Sequence, residues 1–124
     1  MKSDWRQFCR VSNFTLEGNT IRVLFAEGRQ HVVSVHDEGD AIRLRAVVVR
    51  AAAVASLPDA TVRTWLRNRA ISLVGFRIDE RGQMLGEAWV PRAGLTAEEF
   101  RVYVHTVAAE SDRFEQQLTG LDKE

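Results

Sequence analysis

The stretch Leu95–Phe100 marks a helix start more firmly than any other feature of the chain, and it fixes one long element around which the rest must be built. Thr96 followed three places later by Glu99 fits a capping box: the threonine oxygen accepts an orphan backbone N–H, and the glutamate carboxylate accepts the N–H of the cap. Leu95 before the cap and Phe100 at the fourth helical position can close a hydrophobic staple, while Pro91 and Gly94 keep the approach non-helical. Phe100, Tyr103, Val104, Val107, Ala108, Phe114 and Leu118 then recur at three- and four-residue steps, with Ser111 as the one polar break. A helix over Thr96–Leu118 is about 34 Å long at about 1.5 Å per residue, against a radius of gyration of about 14 Å for a compact chain of this size. It must span nearly the whole domain, and Ser111 is expected to mark where it leaves the core.

Upstream the period changes from helical to alternating. Phe14, Leu16, Ile21, Val23 and Phe25 alternate with polar neighbours on both sides of Glu17-Gly18-Asn19, which predicts a hairpin of Asn13–Glu17 with Thr20–Glu27. Gln30–His36 and Ala41–Arg50 continue as strands across the turn Asp37-Glu38-Gly39-Asp40, so an antiparallel meander is the simplest topology. Val47, Val48 and Val49 are apolar on both faces, which requires cover on both sides at that end of the strand.

Ala51–Ala55 can continue the strand or coil. Ser56 or Asp59 can cap a helix over Pro58–Asn68, with Pro58 in its first turn and Val62, Trp65 and Leu66 as its buried side. Ile71–Asp79 and Gln83–Val90 read as a second hairpin, closed at Gly82. The strands of this hairpin divide their apolar residues: Val74, Phe76 and Ile78 share one face, Ile71 and Leu73 the other, and Trp89 opposes Ala88 and Val90. Asp4–Cys9, with Trp5, Phe8 and Cys9, supplies a helical turn or two or a short aromatic lead-in.

Composition narrows the function classes. At 124 residues the chain fits a single domain over residues 1–124, with a formal net charge of zero and no basic run. It therefore lacks the electrostatic footprint of a non-specific nucleic-acid or anionic-membrane binder. Lys2 and Lys123 are the only lysines among the cations, an arginine bias that composition of the genome can explain. Neither a signal segment nor a membrane-length apolar run is present, and the lone Cys9 allows no internal disulfide, so a cytoplasmic protein is expected.

No pattern of catalytic or ligating residues emerges. His31 and His36, five apart in a strand, fall on opposite faces, and His105 is expected on the exposed side of the last helix, so no metal or cofactor is anticipated. Cys9 reads as a spectator thiol, and Gly75, Gly82 and Gly86 are too scattered to cradle a phosphate. The pairs Asp37-Glu38 and Glu98-Glu99 belong to a turn and a helix start. Arg67 and Arg69 flank Asn68 where they can either grip an anion or face the negative end of a helix dipole.

From Leu57 to Leu118 the order Asn68, strand pair, Gly82 turn, Ala-Trp-Val-Pro ending at Pro91, Gly-Leu-Thr-Ala-Glu-Glu-Phe and Glu-Ser-Asp-Arg-Phe-Glu-Gln-Gln-Leu resembles a YbjN-type domain. That group is similar in architecture to the type III secretion chaperones. The resemblance implies an α+β fold, with a twisted antiparallel sheet, a short middle helix and a long C-terminal helix packed on it, usually as a homodimer. It brings no catalytic residues. The chain departs from the secretion chaperones in being neutral rather than acidic and in having a shortened first helix.

Apolar strands without catalytic residues predict a non-enzymatic protein-binding module, a homodimer that engages an extended or partly folded partner. Val47, Val49, Phe76 and Trp89 are the candidate partner or dimer contacts, with ordinary core as the competing role for each. A bacterial stress or signalling regulator that senses a small ligand between helix and sheet is the alternative.

Overall fold

The computed structural model describes residues 5–120, so Asp4, Lys2 and Lys123 lie outside the described residues. A 3-10 turn (Trp5–Cys9) precedes β1 (Phe14–Glu17), β2 (Thr20–Leu24), β3 (Gln30–Asp37) and β4 (Ala41–Val49). Two helices follow, α1 (Ala51–Ala55) and α2 (Ala60–Ala70), then β5 (Gly75–Ile78), β6 (Met84–Pro91) and α3 (Ala97–Thr119). The six strands form one antiparallel sheet in the order β1-β2-β3-β4-β6-β5. The first four strands are the expected meander, and the second hairpin joins by its later strand, which leaves β5 at the edge.

The helix that the capping pattern predicts is present from its first hydrogen bond. Thr96 Oγ1 accepts from Glu99 N at 3.1 Å and Glu99 Oε1 accepts from Thr96 N at 3.2 Å, while Gly120, at φ 74°, ends the helix with its N–H on Gln116 O. The buried stripe holds Phe100, Val104, Val107, Ala108, Phe114 and Leu118, which meet the inward residues Val33 and Val35 of β3, Ile42, Leu44 and Ala46 of β4, and Ala88 and Val90 of β6 in one core. Trp5 and Phe8 of the 3-10 turn close the near end against Phe100, at ring-centroid distances of 6.1 and 5.5 Å.

Ser111 does not mark a departure from the core. It is fully buried over Gly86 of β6, where a Cβ would stand 2.3 Å from Ser111 Oγ and 2.9 Å from the Phe76 ring. A small residue on the helix meets a residue with no side chain on the strand, so helix and sheet approach closely at this point. The stripe runs on past it through Phe114, whose ring lies edge-on to Phe76 at 4.9 Å, to Leu118.

The middle helix faces opposite to the expectation. Val62, Trp65 and Leu66 are 53, 58 and 52% exposed, and the docked side is Ala60, Thr64, Arg67 and Asn68. Thr64 is buried against Met84, its hydroxyl bonded to Ala60 O at 2.8 Å. Arg67 reaches Glu110 and Gln117 on α3, and the Asn68 amide both donates to Phe76 O at 2.8 Å and accepts from Phe76 N at 2.7 Å. Specific polar bonds hold this side, while the apolar triplet that periodicity assigns to the core is left open.

The helix limits differ for local reasons. Ala51–Ala55 coils into α1, as an alanine-rich run favours, and Ser56 closes that helix instead of opening the next. Pro58 precedes the cap position, which Asp59 occupies at φ 56° without a side-chain cap bond. Strand β5 starts at Gly75, later than Ile71, because Leu73 adopts φ 73° and breaks the extended run. Phe114→Ala should therefore lower unfolding free energy by about 3–5 kcal/mol in a denaturant titration, since its ring fills the core of its own chain; a loss of a few tenths would contradict this packing.

Candidate protein-binding site

Period-two alternation puts Val32, Ser34 and His36 of β3, Arg43, Arg45 and Val47 of β4, Glu87 and Trp89 of β6, and Arg77 of β5 on the sheet face turned away from α3. Glu87 is the hub of this face. It accepts from Arg77 Nε at 2.7 Å and Arg45 Nε at 2.9 Å, with Arg43 Nη1 at 3.8 Å. Arg43 also bridges to Glu38 at 3.0 Å and lies over the Trp89 ring at 5.3 Å. Burial pushes the Glu87 carboxyl up, but the bonds from Arg77 and Arg45 outweigh it and hold the group below the usual carboxylate range. His36 is lowered by burial and then by Arg43 and Arg45, so it stays neutral among these cations.

The four sequence candidates separate. Val49 and Phe76 are 5 and 4% exposed and belong to the core, whereas Val47 and Trp89 are 40 and 57% exposed on the outward face. These two do not form one patch. Val47 pairs with Leu85 and Trp89 with Arg43, so they stand about 13 Å apart along the strands with the Arg45–Glu87 pair between them. Trp89 instead shares a shallow cleft with Leu73, Gly75 and Arg77 at the β5 edge.

The open apolar surface that sequence reasoning missed lies on α2. Val62, Trp65 and Leu66 occupy neighbouring positions on one helix face, Arg69 covers the Trp65 ring at 5.0 Å, and Leu73, 51% exposed, follows in the connection to β5. Helical spacing exposed the triplet to view, but spacing alone cannot tell a core stripe from an interface stripe. Arg67, read as a possible anion grip, is spent on Glu110 at 2.9 Å and on the face of Phe114.

The other candidates stay apart. His31 turns inward to Asp112 of α3 and His36 outward to Ser34, as their spacing requires, while His105 is exposed and edge-on to Phe25 at 5.7 Å. Cys9 is buried with its sulfur 3.7 Å from Trp5 O. Asp37 caps its own turn through Gly39 N, and Glu98 and Glu99 lie in the first turn of α3. An open cleft of about 1000 Å³ runs between α3 and the β2–β3 turn, lined by Phe25, Arg29, His105, Asp112 and Gln116. No described helix is long and apolar enough to cross a membrane.

No protein-family model matches the chain, and no curated protein does. Its fold does match solved structures. A chain of the ExsC–ExsE complex is 22% identical with a TM-score of 0.56, covering 84% of this chain and 80% of that one. A chain of the heterodimeric ExoU–SpcU complex from the type III secretion system of Pseudomonas aeruginosa is 16% identical with a TM-score of 0.55, covering 94 and 93%. A chain of the HopA1–SchA chaperone–effector complex is 11% identical with a TM-score of 0.52, covering 92 and 86%. The architecture is that of the secretion chaperones, an antiparallel sheet carrying one long helix.

The Glu87 hub has a defined pH signature. Its folded carboxyl titrates below the unfolded one, so it contributes stability above the unfolded value that disappears as pH falls through the folded value. The stability difference between the native chain and Glu87→Gln is expected to be largest at neutral pH and to close in acid. Equal differences at neutral and acid pH, measured by urea titration, would remove the hub from that role.

Proposed function

We propose that the chain is a non-enzymatic protein-binding module of the secretion-chaperone type, which self-associates as a homodimer through the open face of α2 and engages an extended or partly folded polypeptide. The observation that carries this reading is the Val62, Trp65 and Leu66 triplet, each more than half exposed on one helix face. Burying a large apolar side chain is worth about 1.5–3 kcal/mol, and a two-fold contact buries each residue twice. The α2 docking bonds through Asn68 and Arg67 support the same reading, because they hold the helix with this face outward.

The client surface in this reading is the outward sheet face. Trp89 with Leu73 at one end and Val47 at the other offer two apolar footholds with charged residues between them, a spacing suited to a chain that binds extended. The solved complexes of like fold include a chaperone–effector pair, which supports a polypeptide client, the resemblance to YbjN-type domains supports a homodimer, and the lone Cys9 supports a cytoplasmic location. A second reading, a small-ligand sensor, rests on the cleft between α3 and the β2–β3 turn, whose lining joins Phe25 to Arg29 and His105.

Light scattering tests the dimer. The native chain should scatter as two copies of its 14.0 kDa mass, and Leu66→Glu should weaken association by at least about 100-fold while leaving thermal unfolding of the monomer unchanged. A folded single-copy particle at micromolar concentration would refute self-association through α2.

A further inference from the structure

The inward side of His31 holds a donor set that the protein-binding reading does not use. His31 leaves β3 beside the point where the β3–β4 ladder ends at Ser34 and Arg45, and its Nε2 lies 2.9 Å from Val47 O. A carbonyl only accepts, so Nε2 carries the proton of that bond and Nδ1 is the nitrogen whose lone pair can serve a ligand role. That lone pair faces two carboxylates one helical turn apart on α3: Asp112 Oδ1 at 3.4 Å and Glu115 Oε1 at 3.9 Å.

We propose that His31 Nδ1, Asp112 Oδ1 and Glu115 Oε1 form a site for a divalent transition-metal ion of the zinc class, tying β3 to α3. The three donor atoms lie within 4.8 Å of one another. Bonds of about 2.0–2.2 Å to one tetrahedral ion place neighbouring donors about 3.4 Å apart; His31 Nδ1 and Asp112 Oδ1 already stand at that distance, and Glu115 Oε1, at 3.9 Å from Nδ1, must draw in. One nitrogen and two carboxylate oxygens suit a borderline cation better than a hard one such as calcium.

The surroundings are those of a supported ligand shell. Val47 O fixes the tautomer and orientation of the imidazole, the role a backbone carbonyl plays behind a metal-bound histidine. Arg29 Nε at 3.1 Å and Gln116 Nε2 at 2.9 Å both donate to Asp112 Oδ2, which orients the carboxylate while its other oxygen turns to His31. The ion displaces only the weaker bond from Arg29 Nη2 to Oδ1, at 3.3 Å. Asp112 and Glu115 together exceed the charge of Arg29 by one, so the cluster favours a cation. Asp112 also lines the open cleft beside α3, and Glu115 keeps about a third of its side chain exposed, so the group is reached from solvent.

Equilibrium dialysis of the full chain against micromolar zinc chloride tests the site. One zinc per chain is expected for the native protein and for His36→Ala and His105→Ala, with affinity reduced at least about 100-fold in His31→Gln and in Glu115→Gln. Zinc bound equally by the native chain and Glu115→Gln, or no stoichiometric binding by the native chain, would overturn the site. Glu115 is the most exposed of the three ligands, so its variants keep the comparison valid even where His31→Gln fails to fold. None of these outcomes depends on whether the chain dimerises through α2.

Discussion

The close approach of α3 to the sheet at Ser111 and Gly86 is the contact on which the rest of the structure depends. A side chain on either partner larger than the pair allows would push the helix off the strands, because Phe76 already fills the adjoining space. With that seam closed, Phe100, Val104 and Val107 on one side and Phe114 and Leu118 on the other reach the strands of a single core. The capping box and the aromatic 3-10 turn fix one end of the helix, and the Phe114–Phe76 contact fixes the other.

A helix laid on one face leaves the other face to be managed by different means. The outward side answers with charge: Glu87 gathers Arg45 and Arg77, and Arg43 covers Trp89. Such a network keeps a wide sheet face wet and blunts edge-to-edge association. The β5 edge is also shielded, since the Asn68 amide occupies both backbone groups of Phe76 in place of a neighbouring strand. Among the large apolar residues left open, Val62, Trp65 and Leu66 gather on α2, and Leu73 and Trp89 lie near that same edge.

How much of this could be read in the sequence follows from which interactions are local. The long helix, both hairpins and the α+β class were legible because caps, glycine turns and alternation act within a few residues, and the secretion-chaperone architecture inferred from those segments matches the solved folds. The orientation of α2 was not legible. Its apolar triplet has the spacing of a core stripe, and only the distant partners Phe76, Met84 and Glu110 reveal that Asn68, Thr64 and Arg67 are the docked residues. Ser111 was misread for the same reason, since its meaning lies in Gly86 on another element. Of the site candidates, Val47 stays open although the apolar run Val47–Val49 predicts cover on both faces, and the bulge between Val47 and Val49 turns Val49 into the core. The His31–Asp112–Glu115 group joins residues more than eighty positions apart and leaves no local trace.

Helix α2 is held by polar bonds with Val62, Trp65 and Leu66 open, and the proposed function assigns that face to self-association. Hydrogen exchange of the α2 amides as a function of protein concentration tests that claim most directly, because a face made for another chain must be protected only when that chain is present. Protection of α2 should rise steeply with concentration while α3 exchanges at a constant slow rate. Exchange in α2 that is independent of concentration would contradict the assignment of this face to self-association.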